Sequence, residues 1–177
     1  MVAQLVGSGA AALQERFADQ APAGVLDAVA EHAPNWGHVL TKGIEGPHTL
    51  VHNDCRLDNI FFREDGEPVL IDWQAPADTR GTQDVANLLA QSMESEPLNA
   101  HWEELLKRYH EALREQGVRD YSWDQCVTHY RQNVPYALGA GMALIGAMDI
   151  GDGRGLGEAI VLRSLSHIGA IRAFDVL

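Results

Sequence analysis

The chain is expected to fold as a mainly α protein with one small β-hairpin, an α+β arrangement, and three observations carry that expectation. Apolar residues recur at helical spacing before residue 48 and again after residue 81. Between these regions, two short apolar runs flank Glu64-Asp65-Gly66-Glu67, a turn sequence. Helix start and stop residues fall where the periodicity changes. With 177 residues and 46% hydrophobic content, the chain can close one sizeable core and is hardly long enough for two. Residues 1–177 are therefore read as one domain. It comprises leading helices over 1–47, a loop and hairpin region over 48–81, and a helical region over 82–177.

In the first region Leu13 and Phe17 lie four apart, and Val25, Leu26 and Val29 share one helix face. Gly7-Ser8-Gly9 follows no strand, so it does not read as a phosphate loop. After residue 81, Thr82 is placed to cap a helix carrying Val85, Leu88, Leu89 and Met93 on one side. His101 to Gln116 puts Trp102, Leu105, Leu106, Tyr109 and Leu113 on a common face, with Gly117 as its stop. Ser122-Trp123-Asp124-Gln125 has the spacing of a capping box, and Pro135 should kink or divide the helix that it opens. Tyr136 to Met148 is apolar and rich in Gly and Ala, yet shorter than the roughly 20 residues of a membrane span, which suits a buried helix with close neighbours. Gly151 to Gly157 reads as a connector to a last helix over 158–174.

The turn at Asp65-Gly66 has a chemical consequence. As a two-residue turn it would pair Phe62 with Val69, Ile60 with Ile71, and Asn59 with Asp72. Opposite residues have Cβ atoms roughly 4.5 to 5.5 Å apart. Two oxygen ligands would then meet on one face, within reach of a single Mg²⁺. Pro68, lacking an N–H, belongs at a strand start or on an unpaired side.

Just upstream, His52-Asn53-Asp54-Cys55-Arg56-Leu57-Asp58-Asn59 has the form H-x-D-x-x-x-x-N. In that pattern the carboxylate of Asp54 can accept the proton of an attacking hydroxyl, and the Asn59 amide oxygen can bind a metal ion that Asp72 completes. Asp58 could add a third ligand, but beside Asn59 in a tight loop it more commonly holds backbone amides. Asp84, at the start of a helix, is favoured there by the dipole alone.

Taken together, His52 to Asn59, Leu70-Ile71-Asp72-Trp73 and Gly81-Thr82-Gln83-Asp84-Val85-Ala86 resemble the H-G-D-x-x-x-x-N, I-D-[WF] and G-x-x-D-[LV]-A blocks of the aminoglycoside phosphotransferase/choline kinase superfamily. The ecdysteroid kinase-like group is the nearest in flavour. Tyr109 to Leu113 with Gly117-Val118 and Tyr121-Ser122 is similar to that group's helical tail, and Arg56 to Asn59 also resembles kinases fused to acyl-CoA dehydrogenases. The resemblance spans roughly residues 48 to 140. It implies a protein-kinase-like C-terminal lobe and ATP- and Mg²⁺-dependent phosphorylation of a small-molecule hydroxyl. On that resemblance Asp54 is the base, Asn59 and Asp72 hold the metal, His52 orients the loop and Asp84 braces it. Asn53 stands where the family usually has Gly, and Asn tolerates left-handed backbone better than most residues.

A kinase-type site also needs a glycine-rich flap and a strand lysine for the nucleotide phosphates. Lys42 and Lys107 are the two lysines, and neither lies in such a strand. The sequence is thus expected to supply the C-terminal lobe alone and to need a partner lobe for activity. Two other classes stay open: a non-catalytic kinase-like remnant or binding module, and a metal-dependent hydrolase with His52, Asp54, Asp58 and Asp72 as ligands.

Thirteen Lys and Arg against 25 Asp and Glu give a net charge of −12, which argues against nucleic-acid binding. No membrane segment is expected. Cys55 and Cys126 form no disulfide or zinc pattern, so a reducing cytoplasm is the default. His101, His110, His129 and His167 lack metal-binding spacing. Trp102, Tyr109, Trp123 and Tyr130 could line a substrate pocket, since the resemblance implies an acceptor bound among these helices, but an aromatic stripe at helical spacing is more commonly core.

Overall fold

The structure is a computed structural model that describes residues 2–147 and 155–177. Seven α-helices among these residues frame two small antiparallel sheets. Helices α1 (Val2–Phe17), α2 (Val25–His32) and α3 (Trp36–Ile44) come first, then strand β1 (Thr49–Val51). Strands β2 (Ile60–Phe62) and β3 (Pro68–Leu70) form the hairpin, and β4 (Ala77–Thr79) follows. Helices α4 (Thr82–Ser92), α5 (Ser95–Glu115), α6 (Trp123–Ala147) and α7 (Leu156–Ala170) complete the order, with a 3₁₀ turn at Ala173–Val176.

The helices meet in one apolar cluster, which α4 enters through Ala86, Leu89 and Ala90, while Leu88 of the stripe read from the sequence does not join it. Leu13, Phe17, Val29, Trp36 and Val39 from the first three helices pack with Ala86, Ala90, Leu98, Leu106, Tyr130, Leu138, Leu165 and Ile168. Helix α6 runs through the middle against α1, α3, α4 and α7. Its approach to its neighbours is close because glycines remove side chains at the crossings. A Cβ on Gly139 would lie 2.4 Å from Trp36 Nε1, and one on Gly43 would lie 2.5 Å from the Tyr136 ring.

Several local expectations are corrected. Helix α6 continues through Pro135 rather than dividing there, because packing on both sides holds the helix together across the missing N–H. Helix α5 begins at Ser95, one and a half turns before the apolar periodicity shows it, with Pro97 in its first turn, where a missing N–H has no cost. Thr82 does not cap α4. Its hydroxyl donates instead to Asn133 Oδ1 at 2.7 Å. The last helix ends at Ala170, and Arg172 turns left-handed with φ 50°. Of the glycine-rich connector, Gly151 to Arg154 lie outside the described residues, as does Met148; Gly155 precedes α7.

The capping box appears as read: Gln125 N–H donates to Ser122 Oγ at 3.2 Å, and Ser122 N–H donates to Gln125 Oε1 at 2.9 Å. Gly117 ends α5 at φ 96°, and Val118 N–H reaches back to the Leu113 carbonyl at 3.0 Å.

Candidate active site

The hairpin forms, but its register differs by one residue from the sequence reading. Ile60 faces Leu70, Phe61 faces Val69 and Phe62 faces Pro68. A two-residue turn would need positive φ at both Asp65 and Gly66, and only Gly66 has it, at 85°. The loop is three residues long. Gly66 N–H donates to the Arg63 carbonyl and Arg63 N–H to the Glu67 carbonyl, both at 2.9 Å, while Asp65 Oδ1 accepts the Glu67 N–H. Pro68 then falls in a non-hydrogen-bonded pair, where its absent donor is not missed.

This register corrects the derivation of the metal pair. Asn59 lies opposite Ile71, whose N–H donates to the Asn59 carbonyl at 3.0 Å, and not opposite Asp72. Regular pleating would send Asp72 to the other face. Asp72 is not in regular pleating, however: its φ is 60°, so the chain leaves the strand at this residue. A carboxylate on left-handed backbone is aimed by that local turn and not by the ladder.

The second sheet, β1 with β4, pairs Thr49 with Thr79, Leu50 with Asp78, and Val51 with Ala77. It anchors both ends of the site, because β1 runs directly into His52 and β4 follows the Asp72 loop. From there the loop is fastened to α4. Asp84 accepts the His52 N–H through Oδ2 at 2.7 Å and the Asn53 N–H through Oδ1 at 2.8 Å. One turn on, Asn87 Nδ2 donates to the Asn53 carbonyl at 3.1 Å, and Ser92 Oγ accepts the Leu57 N–H at 2.9 Å. Asn53 sits at φ 65°, the left-handed conformation that its side chain tolerates.

His52 is fully buried, with both ring nitrogens engaged. Nε2 donates to the Ile71 carbonyl at 2.7 Å, and Nδ1 accepts the Asp54 N–H at 3.3 Å. The ring edge also packs on Trp73 with centroids 4.7 Å apart. His52 thus ties the Asp54 loop to the residue just before Asp72. No lone pair remains on it for a metal, which removes it from the ligand set that a hydrolase would need.

Asp54 is held from two sides. Asn59 Nδ2 donates to Asp54 Oδ2 at 2.9 Å and to the Asp54 carbonyl at 2.8 Å, and Arg56 Nε donates to Oδ1 at 3.2 Å. Asn59 is buried, and its Oδ1 has no hydrogen-bond partner among the described residues. Asp58 pairs with Arg56 Nη1 at 2.9 Å rather than holding backbone amides. Asp72 accepts a long 3.4 Å contact from Gln74 Nε2 and is otherwise exposed.

Arg56 is the residue to which sequence reasoning gave no role. A lone cation two residues from an acid on either side was the available signal. Cys55 is buried, and burial with Asp84 and Asp54 nearby pushes its thiol up to about 11, so it stays protonated at neutral pH. Among the described residues, no group of three or more His, Cys, Asp or Glu side chains is placed to hold a metal ion. A Mg²⁺ held by one or two protein oxygens and completed by phosphates and water does not need one. No described helix is long and apolar enough to cross a membrane.

The search of curated proteins and the search of solved structures returned no match. A family model does match, over residues 23–121, a span that contains the loop, the hairpin, Asp72 and the whole of α4 and α5. With this span covering more than half of the chain, the protein belongs to the ecdysteroid kinase-like family, within the phosphotransferase/choline kinase-like superfamily.

Proposed function

We propose that the chain forms the catalytic half of an ATP- and Mg²⁺-dependent phosphotransferase acting on a hydroxyl of a small molecule. The observation that supports this best is the fixed Asp54 carboxylate, gripped by Asn59 and Arg56 inside a loop that Asp84 and Asn87 fasten to α4. General-base catalysis requires a carboxylate at a defined position, and phosphoryl transfer depends mainly on positioning and on neutralising charge.

In this reading Asp54 receives the proton of the acceptor hydroxyl. Asn59 fits a metal role because its Nδ2 is spent on Asp54, leaving Oδ1 to coordinate, and the Asp72 carboxylate supplies the second hard oxygen. When bound, Mg²⁺ neutralises the nucleotide phosphates. His52 keeps the Asp72 turn beside the loop through the Ile71 carbonyl.

The nucleotide-clamping part is proposed to be a separate lobe packed on the hairpin side. Large apolar side chains are exposed there: Leu50, Phe61, Phe62 and Trp73 are 69%, 61%, 62% and 47% exposed. Exposed apolar side chains of this size, gathered on the hairpin and the segments beside it, support an interaction surface there.

With the chain joined to that lobe, Asp54→Asn should lower kcat by about 100-fold or more while nucleotide affinity changes little. ADP release with a panel of sugar, amino-alcohol and sterol acceptors is the assay. Wild-type turnover by Asp54→Asn would remove Asp54 as the base.

A further inference from the structure

Between the start of β1, the turn joining β4 to α4, and the end of α5 with the segment after it lies a cleft of about 460 Å³ that the mechanism above does not use. Its size is within the range of small-molecule sites, about 300–1,000 Å³. Pro47, Leu113 and Val118 give it apolar walls, and Arg80 and Tyr109 give it polar ones.

Arg80 is the unusual feature. It is only 2% exposed, yet no carboxylate among the described residues lies within ion-pair distance of it. Its Nε donates to the Glu45 carbonyl and its Nη1 to Gln132 Oε1 at 2.8 Å, both uncharged acceptors. The Glu45 carboxylate is turned to Lys42 instead, at 2.8 Å. Beside Arg80, burial and the guanidinium itself push His129 down to about 4, so that ring is neutral and adds no counter-charge. Glu45 still acts on Arg80 through space, but a buried guanidinium with no anion in contact is costly. Its third nitrogen, Nη2, has no hydrogen-bond partner among the described residues.

The Tyr109 hydroxyl stands over Gly81, where a Cβ would come within 2.4 Å of it. Burial pushes this phenol up to about 12, so at neutral pH it is a donor. Arg80 and Tyr109 therefore line one cleft, together with His48 and Thr49, in a protein of net charge −12. Arg119 and Asp120, at the exposed rim, offset each other.

We propose that this cleft is a binding site for a small organic carboxylate, its carboxylate on Arg80 and Tyr109 and its apolar body against Pro47, Leu113 and Val118. Two donors suit the two oxygens of a carboxylate. A phosphate, with more negative charge, is disfavoured relative to a carboxylate by Asp120, which lines the same cleft. The site is independent of the phosphotransferase reading.

Amide NMR titration of the 177-residue chain with naphthoate, naphthamide and naphthyl phosphate tests it. Naphthoate should shift the resonances of Thr49, Gly81 and Tyr121. Naphthamide should not bind measurably, and naphthyl phosphate should bind more weakly than naphthoate. Tyr109→Phe, which keeps the ring, should weaken naphthoate about fivefold, the loss of one hydrogen bond. Leu113→Trp, which fills the cleft, should abolish binding while leaving the far-ultraviolet circular dichroism unchanged. Equal binding of the amide, tighter binding of the phosphate, shifts centred elsewhere, unweakened binding by either variant, or no shift at millimolar naphthoate would each overturn the proposal.

Discussion

Asp84→Ala should destabilise the chain by about 2 to 6 kcal/mol and release the loop that carries Asp54. One carboxylate accepts two backbone N–H groups, those of His52 and Asn53, at 2.7 and 2.8 Å. Alanine would leave both donors without a partner, at roughly 1–3 kcal/mol for each buried group. The loss would not be confined to α4. Asn53 is held at φ 65° by the same anchor, and His52 passes the constraint on to Ile71. Urea unfolding should show the lowered midpoint, and hydrogen exchange should show lost protection at His52 and Asn53 before any change in α1 or α6. Asp84→Asn, which keeps one acceptor oxygen, should lie between the two. An alanine variant as stable as wild type, with both amides still protected, would mean that the loop holds itself.

A second large effect should follow from pH. His167 is fully buried and sits between Tyr130 and Asn99: Nε2 accepts the Tyr130 hydroxyl at 2.7 Å, and Nδ1 donates to Asn99 Oδ1 at 2.9 Å. Burial pushes its pKa down from 6.5 to about 4, so the folded state keeps the ring neutral. Above pH 6.5 neither state binds the proton and the full stability is present. As pH falls, the unfolded chain takes up a proton that the folded chain refuses, so stability is lost between about 6.5 and about 4 and no further below. A shift of this size corresponds to about 3 kcal/mol. His129 titrates in the same direction, so the measurement is a difference. The stability of wild type minus that of His167→Gln should fall by about that amount between pH 7 and pH 4. A flat difference would place the protonation elsewhere.

What the sequence disclosed, and what it did not, divides along the range of the interactions. The capping box at Ser122, the stop at Gly117 and the left-handed Asn53 are decided within a few residues, and each was readable. The pairing of β1 with β4 was not, because three-residue strands joined across the whole hairpin carry no alternation to detect. The hairpin was seen but its register was missed: Asp-Gly signals a turn, yet the conformation of Glu64 and Asp65 chose a three-residue loop over a two-residue one. That one-residue difference removed the ladder as the reason for Asn59 and Asp72 to share a metal.

Polar side chains inside the helical region were the least legible. Thr82 looked like a cap and is instead part of a buried chain with Asn133, which also donates to the Gly43 carbonyl and to Gln83 Oε1 at 2.7 and 2.9 Å. Partners 50 or more residues away in sequence leave no local trace. Arg56 was legible in principle, since a single cation between two acids in a loop has few other uses.

Manganese broadening of amide resonances offers the sharpest test of the phosphotransferase reading, because it works even if the nucleotide binds weakly. With Mn²⁺ and millimolar ATP added to the 177-residue chain, the signals of Asn59 and Asp72 should broaden first, and Asp72→Asn should abolish the effect there. Broadening centred on the acidic surface of α5, around Glu103 and Glu104, with Asn59 and Asp72 unaffected, would contradict the assignment of these two residues as the metal site.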